Sequence, residues 1–178
     1  ADHLHGIDDL RAINRVINDW IPTYTNIETW HEIETRFGYV LEPLNTKDNF
    51  FYKPCLKRFE IKDGDIFMIK DFQLTVLRQE HGVMNTLGFR INDFAYSTDV
   101  VELPDSTFEA LKGVQTWIVG SISEKPHPTH AHIEKVLTWA DRVKPRKLIL
   151  THLSHFIDYD TVSEKLPDFA ELAYDGME

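Results

Sequence analysis

The hydrophobic pattern changes period at Lys57, and that change constrains the fold more than any other feature of this sequence. Before it, apolar residues recur at helical spacing. Ile7, Leu10, Ile13, Ile17 and Trp20 predict an amphipathic helix over 7–19 that stops before Pro22. Asn26 as N-cap, Trp30, Ile33 and Phe37 on one face, and Gly38 as stop predict a second helix, with a short strand over 22–25 between the two. After Lys57 the apolar runs become short and alternating, at 57–62, 66–69, 73–79, 87–91 and 94–98. Asp63-Gly64, Lys70-Asp71 and Asn92-Asp93 separate them, which reads as a run of antiparallel strands.

Further along the chain, 106–112 reads as a helix and 116–119 as a strand. A long helix is predicted over 130–143, with Ile133, Val136, Leu137 and Ala140 inward, and then a buried strand over 147–151. The tail, 171–177, has weak strand character. Meandering strands followed by alternating helix and strand predict an α/β (α+β) architecture with sheets packed between helices. With 178 residues, 42% of them hydrophobic, and no repeat or linker, the expectation is a single domain over 1–178. No apolar stretch approaches the roughly 20 residues of a membrane-spanning helix. The only cysteine, Cys55, cannot form an intrachain disulfide, so a cytoplasmic setting is expected. The formal charge of −10 opposes non-specific attraction to long nucleic acids, and it favours a small or locally gripped substrate.

Several of the nine histidines fall where a predicted strand ends. Asp2-His3, with His5 and Gly6 behind, stands just before the first helix. His81-Gly82 comes after the strand over 73–79. Tyr96-Ser97-Thr98-Asp99 delivers a carboxylate to a strand end, although Asp is depleted in strands. Leu148-Ile149-Leu150-Thr151-His152-Leu153-Ser154-His155 is an apolar strand that terminates on a histidine. His130, in His127-Pro128-Thr129-His130-Ala131-His132, stands at the expected start of a helix, where backbone N–H groups favour an anion. Taken singly, Asp2-His3 reads rather as a helix cap and His81 as a loop residue, and the strand that ends on His152 is the most informative of these patterns. Jointly, Asp and His at the ends of several strands can converge on one edge of a sheet. Such donors suit zinc, manganese or iron.

The order Asp2-His3, His81, Asp99, His152 resembles the metallo-β-lactamase superfamily, whose opening motif is His-x-His-x-Asp-His. On that comparison the chain begins inside the motif, and its two leading histidines would precede Ala1. The segments from Asp2 to Arg11, from Leu87 to Asp99 and from Leu150 to His155, with the closing Ala173 to Met177, resemble the phosphoribosyl cyclic phosphate phosphodiesterase (PhnP-like) group. The resemblance implies a metallo-β-lactamase αββα sandwich, two mixed sheets between helices. It also implies two divalent transition metal ions, Zn or Mn or else Fe. Asp2, His3 and His152 would hold one ion, His81 and the missing histidines the other, and Asp99 would bridge them. Asp2 counts among the catalytic residues too, together with His130, which would face the phosphate. His5 and His155 would orient ligands, while Asp8 and Asp9 would serve the helix start.

The activity implied by the resemblance is that of a binuclear hydrolase acting on a small or cyclic phosphodiester, with a metal-bridging water as nucleophile. Two cations roughly 3.5–4 Å apart lower the pKa of such a water and clamp the attacking and leaving oxygens. The expected partner is a small phosphodiester rather than bulk nucleic acid or a membrane, and a homodimer is among the assemblies allowed. Two other readings stand beside this one. The first is another hydrolase of the fold, such as a tRNA 3′-processing endonuclease; the second is a metal-poor, non-catalytic binding protein.

Overall fold

The computed structural model describes residues 3–47 and 50–178. The chain forms two compact units, Ala1–Lys62 and Asp63–Glu178.

In the first unit a 3-10 turn, His5–Asp9, leads into α1 (Leu10–Ile17), followed by β1 (Ile21–Thr25), α2 (Ile27–Phe37), a second 3-10 turn at Gly38–Leu41 and β2 (Leu56–Glu60). The strands pair in parallel, Ile21 opposite Leu56 and Thr25 opposite Glu60, as a sheet of two. The expected strand over 57–62 therefore does not join the antiparallel run, because its backbone partner is β1. Ile7, Trp30, Ile33, Val40 and Leu56 form the buried cluster. The sequence placed Ile13 and Ile17 on the inner face of the first helix, yet both are 48% exposed. The fully buried residue of α1 is Asn14 instead. Its side-chain amide donates to the carbonyls of Asp19 (2.8 Å) and Cys55 (2.9 Å), and its oxygen accepts the Cys55 N–H. Burial of this polar group is compensated by three hydrogen bonds. α2 is capped as expected, with the Asn26 side chain accepting the Thr29 N–H at 3.0 Å. Gly38 does not end it in a left-handed turn; at φ −49° the chain tightens into the 3-10 turn.

The second unit contains β3 (Ile66–Ile69), β4 (Phe72–Glu80), β5 (Asn85–Ile91), β6 (Phe94–Ser97), α3 (Asp105–Ala110), β7 (Thr116–Gly120), α4 (Ile133–Val143), β8 (Lys147–Thr151), α5 (Tyr159–Ser163) and β9 (Ala170–Leu172). Seven strands form one mixed sheet in chain order. β3 to β6 are antiparallel neighbours, and β6 to β9 are parallel ones. Two-residue turns join the antiparallel strands at Lys70-Asp71 and Asn92-Asp93, with Lys70 and Asn92 at positive φ, the conformation such hairpin turns require. Alternate residues Ala95, Trp117, Val119, Leu148, Leu150 and Leu172 enter a core with Phe108, Leu111, Val136, Trp139 and Ala140. The α/β class with mixed sheet and helices is borne out.

Several boundaries differ from the sequence reading. The helix expected over 130–143 begins at Ile133, with His132 as its N-cap, so His130 lies in the loop before it. The strand in the tail is confined to Ala170–Leu172, and α5 had no sequence counterpart. Among the described residues no helix is long and apolar enough to cross a membrane. What positions the site is the parallel half of the sheet. β6, β7 and β8 all run the same way, so the loops after them leave from one edge, the edge where α/β sheets place ligands.

Candidate metal centre

Asp99 stands two residues beyond β6 and His152 one residue beyond β8, both on that edge. Both have left-handed backbone, φ 50° and 58°. For a residue other than glycine this conformation is uncommon and costs about 1–2 kcal/mol, and such strain concentrates where function fixes a side chain's direction. Asp99 Oδ1 lies 3.3 Å from His152 Nε2 and 3.7 Å from His130 Nδ1. The His130 ring stacks on that of His152 at 4.9 Å between centroids and meets the edge of His81 at 4.6 Å. One donor atom from each of His81, Asp99 and His130 lies within 4.8 Å of the others, close enough to share a cation. All four side chains are half-buried, so they are reachable yet partly withdrawn from water.

The donor chemistry fits a divalent transition metal. His81 Nδ1 donates to the Thr129 carbonyl at 2.7 Å, which leaves the lone pair of a neutral ring on Nε2. This is the orientation and tautomer that metal-binding histidines take from a carbonyl partner. Burial, then the neighbouring His81 and His152 imidazoles, push the pKa of His130 below 6.5, with His127 adding to the effect and Asp99 opposing it. That shift favours the neutral form of His130, the form in which an imidazole can hold a metal.

The surroundings hold the cluster in place. Gly82, at φ 73°, packs where a Cβ would come 2.8 Å from the Pro128 carbonyl oxygen, so only glycine lets the β4–β5 turn approach the loop that carries His130. That turn is closed by His81 N–H to Met84 O at 2.8 Å. Gln79 is fully buried, and its amide donates to the Thr98 carbonyl at 2.9 Å. The Thr86 hydroxyl donates to the Asp99 carbonyl at 2.7 Å. These two bonds pin the strained Thr98-Asp99 backbone from β4 and β5. The loop after β7 is tied to its neighbours by Ala131 N–H to Val100 O (2.6 Å) and Ser154 N–H to Ile122 O (3.0 Å).

His81, Asp99, His130 and His152, singled out in the sequence, are thus brought together. His155 is exposed, its ring tilted 39° against that of Phe156 at 3.9 Å between centroids. His3 lies in the turn that opens the first unit and His5 in the 3-10 turn after it; Asp2 lies outside the described residues. Asp8 accepts a 2.5 Å hydrogen bond from the Tyr39 hydroxyl, whose pKa is pushed up to about 12 by that bond. The sequence reading missed Gln79, Thr86 and Gly82. A Gln buried on a strand and a Gly directly after a candidate ligand were the available signals, but neither says what it touches without the fold.

The beta-lactamase superfamily domain model matches residues 1–153. A Porphyromonas gingivalis protein named octanoyltransferase is 29% identical over 99% of this chain, which spans 35% of that protein. Two solved structures share the fold. A diphosphatase described as belonging to the PhnP family superposes with a TM-score of 0.85 at 24% identity, over 97% of this chain and 64% of that one. Zinc-bound PqqB from Methylobacterium extorquens superposes with a TM-score of 0.69 at 12% identity, over 94% of this chain and 67% of that one. The match runs through the strand ends that carry Asp99 and His152, and the chain belongs to the metallo-β-lactamase superfamily.

Proposed function

We propose that the chain carries the metal-dependent centre of a hydrolase that cleaves a small or cyclic phosphodiester. The observation that carries this reading is the convergence of three neutral-capable imidazoles and one carboxylate, His81, His130, His152 and Asp99, on one sheet edge. The ligands proposed are His81, Asp99 and His152; Asp2 and His3 are added on the motif alone. Zn, Mn or Fe would each accept such donors, and a pair of ions would supply Lewis acidity and a water of lowered pKa. The likeness to a PhnP-family diphosphatase supports phosphorus as the centre attacked.

Within this reading the chain's own groups have distinct tasks. Thr129 holds His81 in the ligand tautomer, while Gln79 and Thr86 fix the backbone from which Asp99 projects. His130 would hydrogen-bond the phosphoryl group in its neutral form or, protonated beside the bound anion, give a proton to the leaving oxygen. The full-length protein, expressed with Zn, Mn or Fe, is to be assayed for bound metal and against a panel of cyclic phosphates, linear phosphodiesters, diphosphates, a tRNA precursor and an octanoyl thioester. We expect bound metal near two ions per chain and turnover of the cyclic or small linear diesters. His81→Ala should lose metal, and His130→Ala should keep it while losing about 100-fold or more in turnover. Metal content near zero, or turnover confined to the tRNA precursor or the thioester, would remove the reading.

A further inference from the structure

Thr129 makes hydrogen bonds to two different histidines through its two backbone groups. Its carbonyl accepts from His81 Nδ1 at 2.7 Å, and its N–H donates to His127 Nδ1 at 3.3 Å, with the Thr129 hydroxyl also 3.3 Å from that nitrogen. The consequences for the rings are opposite. A nitrogen that donates carries the proton, so neutral His81 has its lone pair on Nε2. A nitrogen that accepts carries the lone pair, so neutral His127 has its proton on Nε2. His127 is exposed, and its ring lies 5.2 Å from that of His130, which itself lies 4.6 Å from His81. His130 thus stands beside three other imidazoles, those of His81, His127 and His152, and of the four rings His127 is the exposed one, with Nε2 a donor and not a ligand.

We propose that His127 is a substrate-contacting residue, presenting its Nε2–H to a non-bridging phosphoryl oxygen of the anion held at the centre. The inference rests on the phosphodiester reading for the identity of the substrate, but the division of tautomers by Thr129 stands apart from it. Pro128 restricts the intervening backbone, and the Thr129 N–H and hydroxyl, each 3.3 Å from His127 Nδ1, orient the ring. No proton is transferred; the role is a hydrogen bond to a developing anionic charge.

Asparagine at 127 separates this role from a purely structural one. Its side-chain oxygen can take over the bond from the Thr129 N–H, as Asn does in turns, but it has no group reaching as far as Nε2. With the metal-loaded protein, three quantities are to be compared between wild type and His127→Asn: metal content, affinity for inorganic phosphate by calorimetry, and kcat/KM on bis(p-nitrophenyl) phosphate. Metal content should be equal, while phosphate affinity and kcat/KM should both fall by about 10- to 100-fold, the range for one hydrogen bond to a charged group. Long-range proton–nitrogen correlation on the metal-free protein should show His127 protonated on Nε2 and His81 on Nδ1. Phosphate affinity within twofold of wild type, or a proton on His127 Nδ1, would overturn the proposal. If wild type binds phosphate but turns over no diester, the phosphodiester reading fails while the phosphate comparison still decides the role of His127. Absence of phosphate binding by wild type overturns the His127 proposal.

Discussion

His130 is the common neighbour of three imidazoles, 4.6 Å from His81, 5.2 Å from His127 and 4.9 Å from His152 by ring centroids, and lies close to one carboxylate. Its protonation adds a charge to a half-buried site, and this disfavours the charged form in the folded protein. The pKa is therefore lower folded than unfolded, where it sits near 6.5. For a group with a depressed folded pKa, the native state binds fewer protons than the unfolded one as pH falls past 6.5. The stability it contributes is full above pH 6.5 and is lost as the pH falls through the folded value. Chelated, metal-free protein should therefore lose thermal stability between pH 7 and 5. His130→Gln, which cannot titrate, should show a shallower loss over the same window. Equal slopes of Tm against pH for the two proteins would show that His130 does not carry this dependence.

At the scale of elements, the strand ends matter because loops pack against one another there with little slack. In Gly82→Ala the new methyl would meet the Pro128 oxygen at 2.8 Å in a backbone conformation that alanine resists. We expect a loss of about 1–3 kcal/mol in urea unfolding and a weakened hold of Thr129 on His81, seen as lower metal affinity. An unchanged midpoint and metal affinity would mean that the two loops can part without cost. Much of this architecture was legible: β3 to β8 fall within a few residues of the apolar runs read from the sequence, because turn residues such as Lys70-Asp71 and Asn92-Asp93 mark where those runs break. The candidate ligands His81, Asp99 and His152 were legible as polar residues at the points where apolar runs stop. The features that escaped the sequence depend on partners distant along the chain. The pattern of α1 pointed to Ile13 and Ile17 as buried, whereas the residue drawn inward is Asn14, whose partner Cys55 is 41 positions away. Likewise the start of α4 was read three residues early, because the backbone of Ala131 is bonded to Val100 and Ile122 rather than into the helix.

For the molecule as a whole, charge and site pull in different directions. A net charge of −10 repels any polyanion at long range, whereas the imidazole cluster and its proposed cations attract a single phosphoryl group at short range. Long-range repulsion is screened beyond about 10 Å at 0.1 M salt, so it weighs on a long duplex that must lie along the surface far more than on a small diester that enters one site. Nucleic acid held by basic residues shows steeply weakening affinity as salt rises, because each neutralised phosphate releases counterions. Here no such binding is expected. Fluorescence anisotropy with a 30-base-pair duplex in the presence of Zn or Mn should give no saturable binding below about 100 μM protein, weaker than the non-specific range of ordinary DNA-binding proteins, at either 50 or 150 mM salt. Turnover of a small diester should change by less than about twofold over the same salt range, since its binding is local. Sub-micromolar duplex binding that weakens about a hundredfold or more between the two salts would reveal a cationic track that the overall charge conceals. Such a result would move the substrate from a small diester to a polymer.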